Sequence, residues 1–283
     1  MTAGLSEQAL RAAAETAAHS ALAEDLAGLG DLAGRAFPAP GTARVEARAD
    51  GVLSGVAAFT AAARLVDPEL RVALACAAGE RFAAGDNLVS LDGRLSSILA
   101  LERTGLNFLA RLSGVATLTA RYVAETSGTG ATIAGTRKTT PGLRALEKQA
   151  IADGGGSPHR FGLFDGAMIK DNHVAAAGSL GAAVTAVRAG LTHAHLLEAE
   201  VDTLEQLDEA LGAGVTVILL DNMDVATVGA AVTRVAGRAV LEVSGGVTLE
   251  SVRAYAETGV QVISVGALTT AAPWTDLSMV VVA

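Results

Sequence analysis

ATIAGTRKTTPGLRALEKQAIADGGGSPHRFGLFDGAMIKDNH, residues 131–173, reads as strand, helix and strand in succession. ATIAGT (131–136) and AMIKD (167–171) are short apolar runs, whereas LRALEKQAIADGG (143–155) carries apolar residues at three-to-four spacing and stops on glycine. The alternation continues through HLLEAEV (195–201), VTVILLDN (215–222), AVLEVSGG (239–246) and VQVISVGA (260–267), with helical stretches such as TLEQLDEALGAG and TLESVRAYAETG between them. Strand then helix, six times over, implies a parallel α/β layer or barrel. The runs are apolar on both alternations, as strands covered on both faces should be. Six units are fewer than the eight of a closed barrel, so the fold class is α/β with an incomplete (β/α) barrel of about six parallel strands.

Upstream the texture differs. Residues 6–27 place Leu10, Ala13, Ala17, Leu22 and Leu26 at helical spacing and end at Gly28, which predicts an amphipathic opening helix. ARVEAR (43–48), VLSGVA (52–57), VALAC (72–76) and NLVSL (87–91) read as short strands around one helix near Phe59 to Val66. From Leu95 to about Thr126 apolar residues recur at three-to-four spacing, and the pair Ser113-Gly114 is expected to bend or split the helix. These elements predict an N-terminal mixed α/β sandwich domain over residues 1–126, followed by the barrel domain over 127–283.

Composition removes whole classes of function. Hydrophobic residues make up 51% of the 283 and charged residues 18%, a globular balance, and a formal net charge of −9 argues against general nucleic-acid binding. Cys76 is alone, which excludes a disulfide framework and a thiolate metal site. No apolar run approaches the ~20 residues that cross a bilayer, the first thirty residues show no signal peptide, and the expected compartment is the cytoplasm.

Against this acidic background, all three lysines, Lys138, Lys148 and Lys170, fall between 135 and 173, although the chain has 21 basic residues. Lysine is a compact point charge suited to phosphate or carboxylate oxygens where arginine is a planar fork. Lys138 and Lys170 each close an apolar run; Lys148 fits a solvated helix face equally well. In a parallel α/β fold ligands bind at the carboxyl ends of the strands. There the sequence delivers Arg137 and Lys138, Lys170 and Asp171, Glu200, Asp221 and Asn222, Ser244-Gly245-Gly246 and Gly266. SGG and VGALTT leave backbone N–H groups unobstructed at helix starts, an anion site. Glu200 and Asp221 can accept sugar hydroxyls or hold Mg²⁺, or simply pair with the basic cluster. His159 and Arg160 in GGGSPHR become clamps for a carboxylate if they lie beside Arg137. A phosphosugar with a second anionic group fits this set. GxxxxGK[ST] and GxGxxG loops are absent, so nucleotide readings lose support.

GTRKTTPGLRALEKQAIADGGGSPHRFGLFDGAMIKDNH closely resembles the quinolinate phosphoribosyltransferase family, as do ERTGLNFLARLSGVATLT upstream and EAEVDTLEQ, ILLDN, SGGVTLESVRAYAETGV and VGALT downstream, in the same order. The resemblance implies transfer of phosphoribose from 5-phosphoribosyl-1-pyrophosphate to quinolinate with Mg²⁺ and loss of CO₂, giving nicotinate mononucleotide and pyrophosphate in the de novo route to NAD. It further implies that Arg137, His159, Arg160 and Lys170 hold the quinolinate carboxylates and that Lys138 lies near the reacting centre. Glu200 and Asp221 would serve the ribose hydroxyls and the metal-pyrophosphate unit, and Ser244, Gly245 and Gly266 the 5′-phosphate. A homodimer or higher homo-oligomer is implied too, with Arg103 of one subunit reaching the site of the other. Three rivals share parts of the pattern. They are a phosphoribosyltransferase-like protein associated with molybdate transport, a Schiff-base aldolase using Lys138 or Lys170, and a phosphosugar-binding sensor without turnover.

Overall fold

The computed structural model of the chain describes residues 6–282; residues 1–5, the start of the stretch read for a leader, lie outside it. In chain order the elements are α1 (Glu7–Leu26), β1 (Pro40–Ala47), β2 (Gly51–Val52), α2 (Val56–Val66), β3 (Arg71–Leu74), β4 (Arg81–Phe82), β5 (Asn87–Arg94) and α3 (Leu95–Glu125). There follow β6 (Thr132–Ala134), α4 (Arg144–Asp153), β7 (Ala167–Ile169), α5 (Asp171–Ala177), α6 (Leu180–Ala189), β8 (Leu197–Val201) and α7 (Leu204–Gly212). The chain ends with β9 (Val217–Asp221), α8 (Val225–Val235), β10 (Val240–Ser244), α9 (Val252–Glu257), β11 (Val262–Ser264), α10 (Ala267–Thr270) and β12 (Leu277–Val282).

Two compact units result: one takes the residues up to Ala120, Thr139–Gly155 and those from Leu268 on, the other Arg121–Lys138 and Gly156–Ala267. The first unit is built on an antiparallel sheet of order β12-β1-β5-β3. Val45 and Leu91 are fully buried on β1 and β5, and so are Phe59 and Ala62 of α2, which contribute to the same unit's core. The C-terminal strand β12 lies along β1, with Thr42 opposite Val282 and Ala47 opposite Leu277. Helix α1 begins where the Ser6 hydroxyl accepts from the Ala9 N–H at 3.2 Å, and ends at Ala27 in the left-handed region.

Two expectations for this unit are corrected. Of the stretch 52–57 only Val52 pairs as strand, together with the preceding Gly51, because Gly55, at φ 86°, already caps α2 and Val56 is its first residue. Helix α3 runs unbroken for 31 residues through Ser113 and Gly114. The small residues answer neighbours instead of bending the helix. A Cβ on Gly114 would stand 2.0 Å from the Pro273 carbonyl oxygen, and the Ser113 hydroxyl accepts from the Ser54 N–H at 3.0 Å. Lys148, left open in the sequence as a solvated residue, is fully buried on α4.

The second unit holds six parallel strands in the order β6-β11-β10-β9-β8-β7. This is the cyclic order of a barrel, and among the described residues no ladder joins the two end strands; beyond β6 there is a single parallel bridge from Ala134 to Ser157. The incomplete barrel read from the sequence is therefore present. Apolar side chains such as Ile133, Ile169, Ile218 and Ile263 are at most 2% exposed, which accounts for the uniformly apolar runs. No helix among the described residues is long and apolar enough to cross a membrane.

Candidate active site

At the carboxyl ends of β6 to β11, a cavity of about 400 Å³ is lined by Arg137, Lys138, His159, Arg160, Lys170, Glu200, Asp221, Ser244 and Gly245, nine of the residues singled out in the sequence. Strand register places them. Ser244 ends β10 directly beside Asp221, which ends β9, and Glu200 on β8 is paired with Leu219 on β9. Arg137 and Lys138 follow β6, and Lys170 follows β7 as the residue preceding α5. Gly266 lies just after β11 and is not part of the lining, yet a Cβ there would be 3.3 Å from the Lys138 side chain, so this glycine borders the lysine directly.

Opposite charges are interleaved across the mouth. Lys170 Nζ pairs with Glu200 Oε2, and Glu200 keeps only 12% of its side chain exposed. Asp221 accepts from the Asn222 side-chain amide at 2.7 Å. Burial and the neighbouring Asp202 hold the Asp221 carboxyl above the usual range, with Lys170 and Lys138 pulling it back down. Arg137 and Lys138 are exposed at the rim. The Lys138 backbone is turned by the Thr136 hydroxyl, which accepts its N–H at 3.1 Å. Gly245 has φ 96°, and a Cβ would stand 2.1 Å from Asn222 Oδ1, so only glycine lets the β10 loop close against the end of β9.

Below the rim lies a layer that the sequence reading passed over. His159 Nε2 is 3.0 Å from Glu242 Oε2 and 3.7 Å from Glu198 Oε2, and both glutamates are buried within the barrel. Burial, then the charge of Glu242, raises the Glu198 carboxyl to about 7, with His159 and Arg160 acting in the opposite sense. The Arg160 guanidinium donates to the Gly166 carbonyl at 2.9 Å and lies 3.3 Å from the Met168 sulfur. Its own pKa is lowered, by burial first and by Arg137 second. The signal was spacing. Glu198 and Glu242 sit two residues before Glu200 and Ser244, hence on the same face of their strands and one layer deeper.

Two sets of side chains could hold a cation. Glu200 and Asp221 offer only oxygen donors, the chemistry that suits Mg²⁺ with retained water. His159, Glu198 and Glu242 bring ligand atoms within 4.8 Å of one another, though the Arg160 guanidinium already acts on both carboxylates. Arg103 is not in this cavity. It is exposed on α3 and lines a smaller one of about 210 Å³ in the first unit, with Glu24, Asp25, Asn107 and Arg111. Nearby in that unit, Arg111 pairs at 2.7 Å with the fully buried Glu147, which also accepts from the Thr140 N–H at 2.9 Å and hydroxyl at 2.8 Å. Thr140 of the TRKTT stretch is thereby anchored, while the Thr139 hydroxyl accepts from Arg144 Nε at 2.9 Å. A roomier cavity of about 490 Å³ in the first unit is lined by residues of α1, α2, the loop after α1 and the start of α3, and Arg35 is the one arginine or lysine among them. His173 is an exposed helix-start residue whose Nδ1 accepts the Lys170 N–H at 3.0 Å.

Comparison with known proteins bears on the whole chain. Models of the quinolinate phosphoribosyl transferase N-terminal and C-terminal domains match residues 31–113 and 115–280. The chain is 41% identical over 266 residues to a probable nicotinate-nucleotide pyrophosphorylase (carboxylating) of Synechocystis, covering 92% of this chain and 90% of that protein. It is 39% identical over 280 residues to quinolinate phosphoribosyltransferase (decarboxylating) 2b, mitochondrial, of Nicotiana tabacum, covering 92% and 79%. Among solved structures, the nicotinate-nucleotide pyrophosphorylase of Francisella tularensis superposes with a TM-score of 0.92 at 34% identity over 96% of this chain and 97% of that one. With the two domain models together matching residues 31–113 and 115–280, and a cavity whose lining carries Thr136, Arg137, Lys138, His159, Arg160, Lys170, Ser244 and Gly245, the chain belongs to the quinolinate phosphoribosyltransferase family.

Proposed function

We propose that the cavity at the strand ends transfers phosphoribose from 5-phosphoribosyl-1-pyrophosphate to the ring nitrogen of quinolinate, with release of pyrophosphate and then CO₂, leaving nicotinate mononucleotide. The observation that supports this most strongly is the convergence of Arg137, Lys138, Arg160 and Lys170 on one mouth with Glu200 and Asp221 between them. Two polyanionic substrates meet there, and four fixed cations offset their mutual repulsion. A neutral-substrate site would have no use for so many.

The chemistry divides along the mouth. The bond from the anomeric carbon to the pyrophosphate oxygen breaks and the bond to the ring nitrogen forms. Positive charge develops on the sugar and negative charge on the leaving group, so positioned cations lower the barrier without a covalent nucleophile. Lys138, held beside Gly266, is the residue assigned to that leaving charge. Ser244, Gly245 and Gly266 take the 5′-phosphate through hydroxyl and backbone N–H groups. Glu200 and Asp221 take the ribose hydroxyls. Arg137, Arg160 and Lys170 hold the acceptor carboxylates. After the new bond forms, the ring nitrogen is cationic. The electron pair left on the adjacent carbon by CO₂ is stabilised by it until a proton arrives.

Glu200 and Asp221 are the residues that would hold Mg²⁺, directly or through water. A divalent cation held there would neutralise part of the pyrophosphate charge. Arg103 is assigned to the site of a neighbouring subunit. A self-association is supported by the exposed apolar side chains Leu29, Leu32 and Phe37 of the first unit. Lys138→Ala is the direct test of the site: turnover should fall at least ~100-fold while thermal stability and quinolinate binding stay near wild type. Wild-type turnover would remove the lysine from the reaction.

A further inference from the structure

The floor of this cavity is acidic, although an acceptor with two carboxylates has to be held above it. Glu198 and Glu242 are 2% and 4% exposed, and a carboxylate beneath an anion site repels the ligand. Their geometry points to a task that outweighs this repulsion. His159, at φ 56°, turns its ring down into the barrel. Its Nδ1 accepts the backbone N–H of Arg160 at 2.7 Å. In the neutral imidazole the one ring proton is then on Nε2, where it donates to Glu242 Oε2 at 3.0 Å with Glu198 behind it at 3.7 Å. A ring held in this way has no N–H left for a substrate carboxylate. What it does hold is the main chain of Arg160, whose guanidinium lies in the same cavity lining.

We infer that Glu242 is a positioning residue for the acceptor end of the site. It fixes the tautomer and plane of the His159 ring, and the ring in turn fixes the backbone turn from which Arg160 reaches the acceptor. Glu198 backs the same ring from β8. The inference rests on the reading above that Arg160 faces quinolinate.

A charge effect and a positioning effect have opposite signs here. Removing a negative charge below an anion site lowers KM for the anion; releasing the histidine raises it. Glu242→Leu removes the acceptor at similar volume, and Glu242→Gln restores an oxygen to the Nε2–H. Expected for Glu242→Leu is a rise in quinolinate KM of about tenfold, with the phosphoribosyl pyrophosphate KM within about twofold of wild type, and for Glu242→Gln recovery of most of that loss. His159→Ala combined with Glu242→Leu should be no worse than His159→Ala alone, because the acid acts through the ring. Additive losses, a lowered quinolinate KM in Glu242→Leu, or equal damage to both substrates would overturn the inference. Nitrogen-15 spectra of the wild-type protein, labelled at histidine, give a reading independent of turnover. The His159 ring should carry its proton on Nε2, and a protonated Nδ1 at neutral pH would overturn it equally. If His159→Ala left quinolinate KM untouched, the acceptor reading itself would fail. The ring spectra and the coupling in kcat would still decide whether Glu242 holds the ring.

Discussion

Gly245 shows how far a single residue constrains the site. Its φ of 96° and the 2.1 Å that a Cβ would leave to Asn222 Oδ1 exclude any side chain without movement of the residue that hydrogen-bonds Asp221. Gly245→Ala should cost about 1–3 kcal/mol in stability from backbone strain, and it should raise the KM for phosphoribosyl pyrophosphate more than that for quinolinate. Equal KM values for wild type and variant would contradict the assigned phosphate role. Asp153 carries a pH dependence. Burial raises its carboxyl above 3.8, against hydrogen bonds from the Ser54 hydroxyl at 2.6 Å and Gln149 at 2.8 Å. The native state therefore binds this proton more tightly than the unfolded chain. Its contribution is fully present below pH 3.8 and is lost as pH rises through the raised native value. Asp153→Asn should be more stable than wild type at neutral pH, with the difference closing below pH 4, as urea titrations at several pH values would measure. A pH-independent difference would sink the assignment. Residues whose chemistry is rare in this chain were legible from the sequence: three lysines in one window could not be overlooked. Glu198 and Glu242 were legible only through their two-residue offset from Glu200 and Ser244, because taken alone an acid inside an apolar strand looks the same whether it faces a cavity or interrupts a core.

At the scale of elements, what was legible followed from local pattern. The six barrel strands carry their apolar runs and polar ends in consecutive residues, so their number, order of occurrence and ligand-bearing ends could be read. The extents were too long, since the loops after each strand are also apolar or glycine-rich: ATIAGT spans six residues where β6 keeps Thr132–Ala134. What was not legible depended on distant partners. Ser113-Gly114 carries the local mark of a helix break. Its real cause is the Pro273 carbonyl, 159 residues away in the chain by number yet 2.0 Å from where a Cβ would be. Gly114→Ala should therefore destabilise the protein by about 1–3 kcal/mol through overpacking, although alanine is the better helix former. A stabilised variant in urea unfolding would mean that the glycine served helix geometry after all. The pairing of β12 with β1 has the same non-local origin, and no local pattern announces it.

For the whole molecule, the family carries the reaction and the chain supplies the complement of residues for it. Of the assigned residues, Gly266 borders the cavity without lining it, and Arg103 lies away from it, exposed on α3 and lining a different pocket with Glu24 and Asp25. Its assignment to a neighbouring subunit makes a prediction about mixtures. Arg103→Ala and Lys138→Ala should each be inactive, and subunit exchange between them should restore activity through hybrids that keep one intact site. No recovery in mixtures shown by mass spectrometry to have exchanged would confine each site to one chain. Magnesium enters at this scale as well. Chelation should abolish turnover, and Glu200→Gln should raise the magnesium concentration needed for half-maximal rate; an unchanged requirement would take Glu200 out of the metal's surroundings.

The most direct measurement is the stoichiometry of products when quinolinate, phosphoribosyl pyrophosphate and Mg²⁺ are supplied together and each is then left out. Pyrophosphate and CO₂ should appear one for one in the complete mixture alone, with nicotinate mononucleotide. Pyrophosphate without CO₂, or neither product from the folded protein, would contradict the assigned reaction.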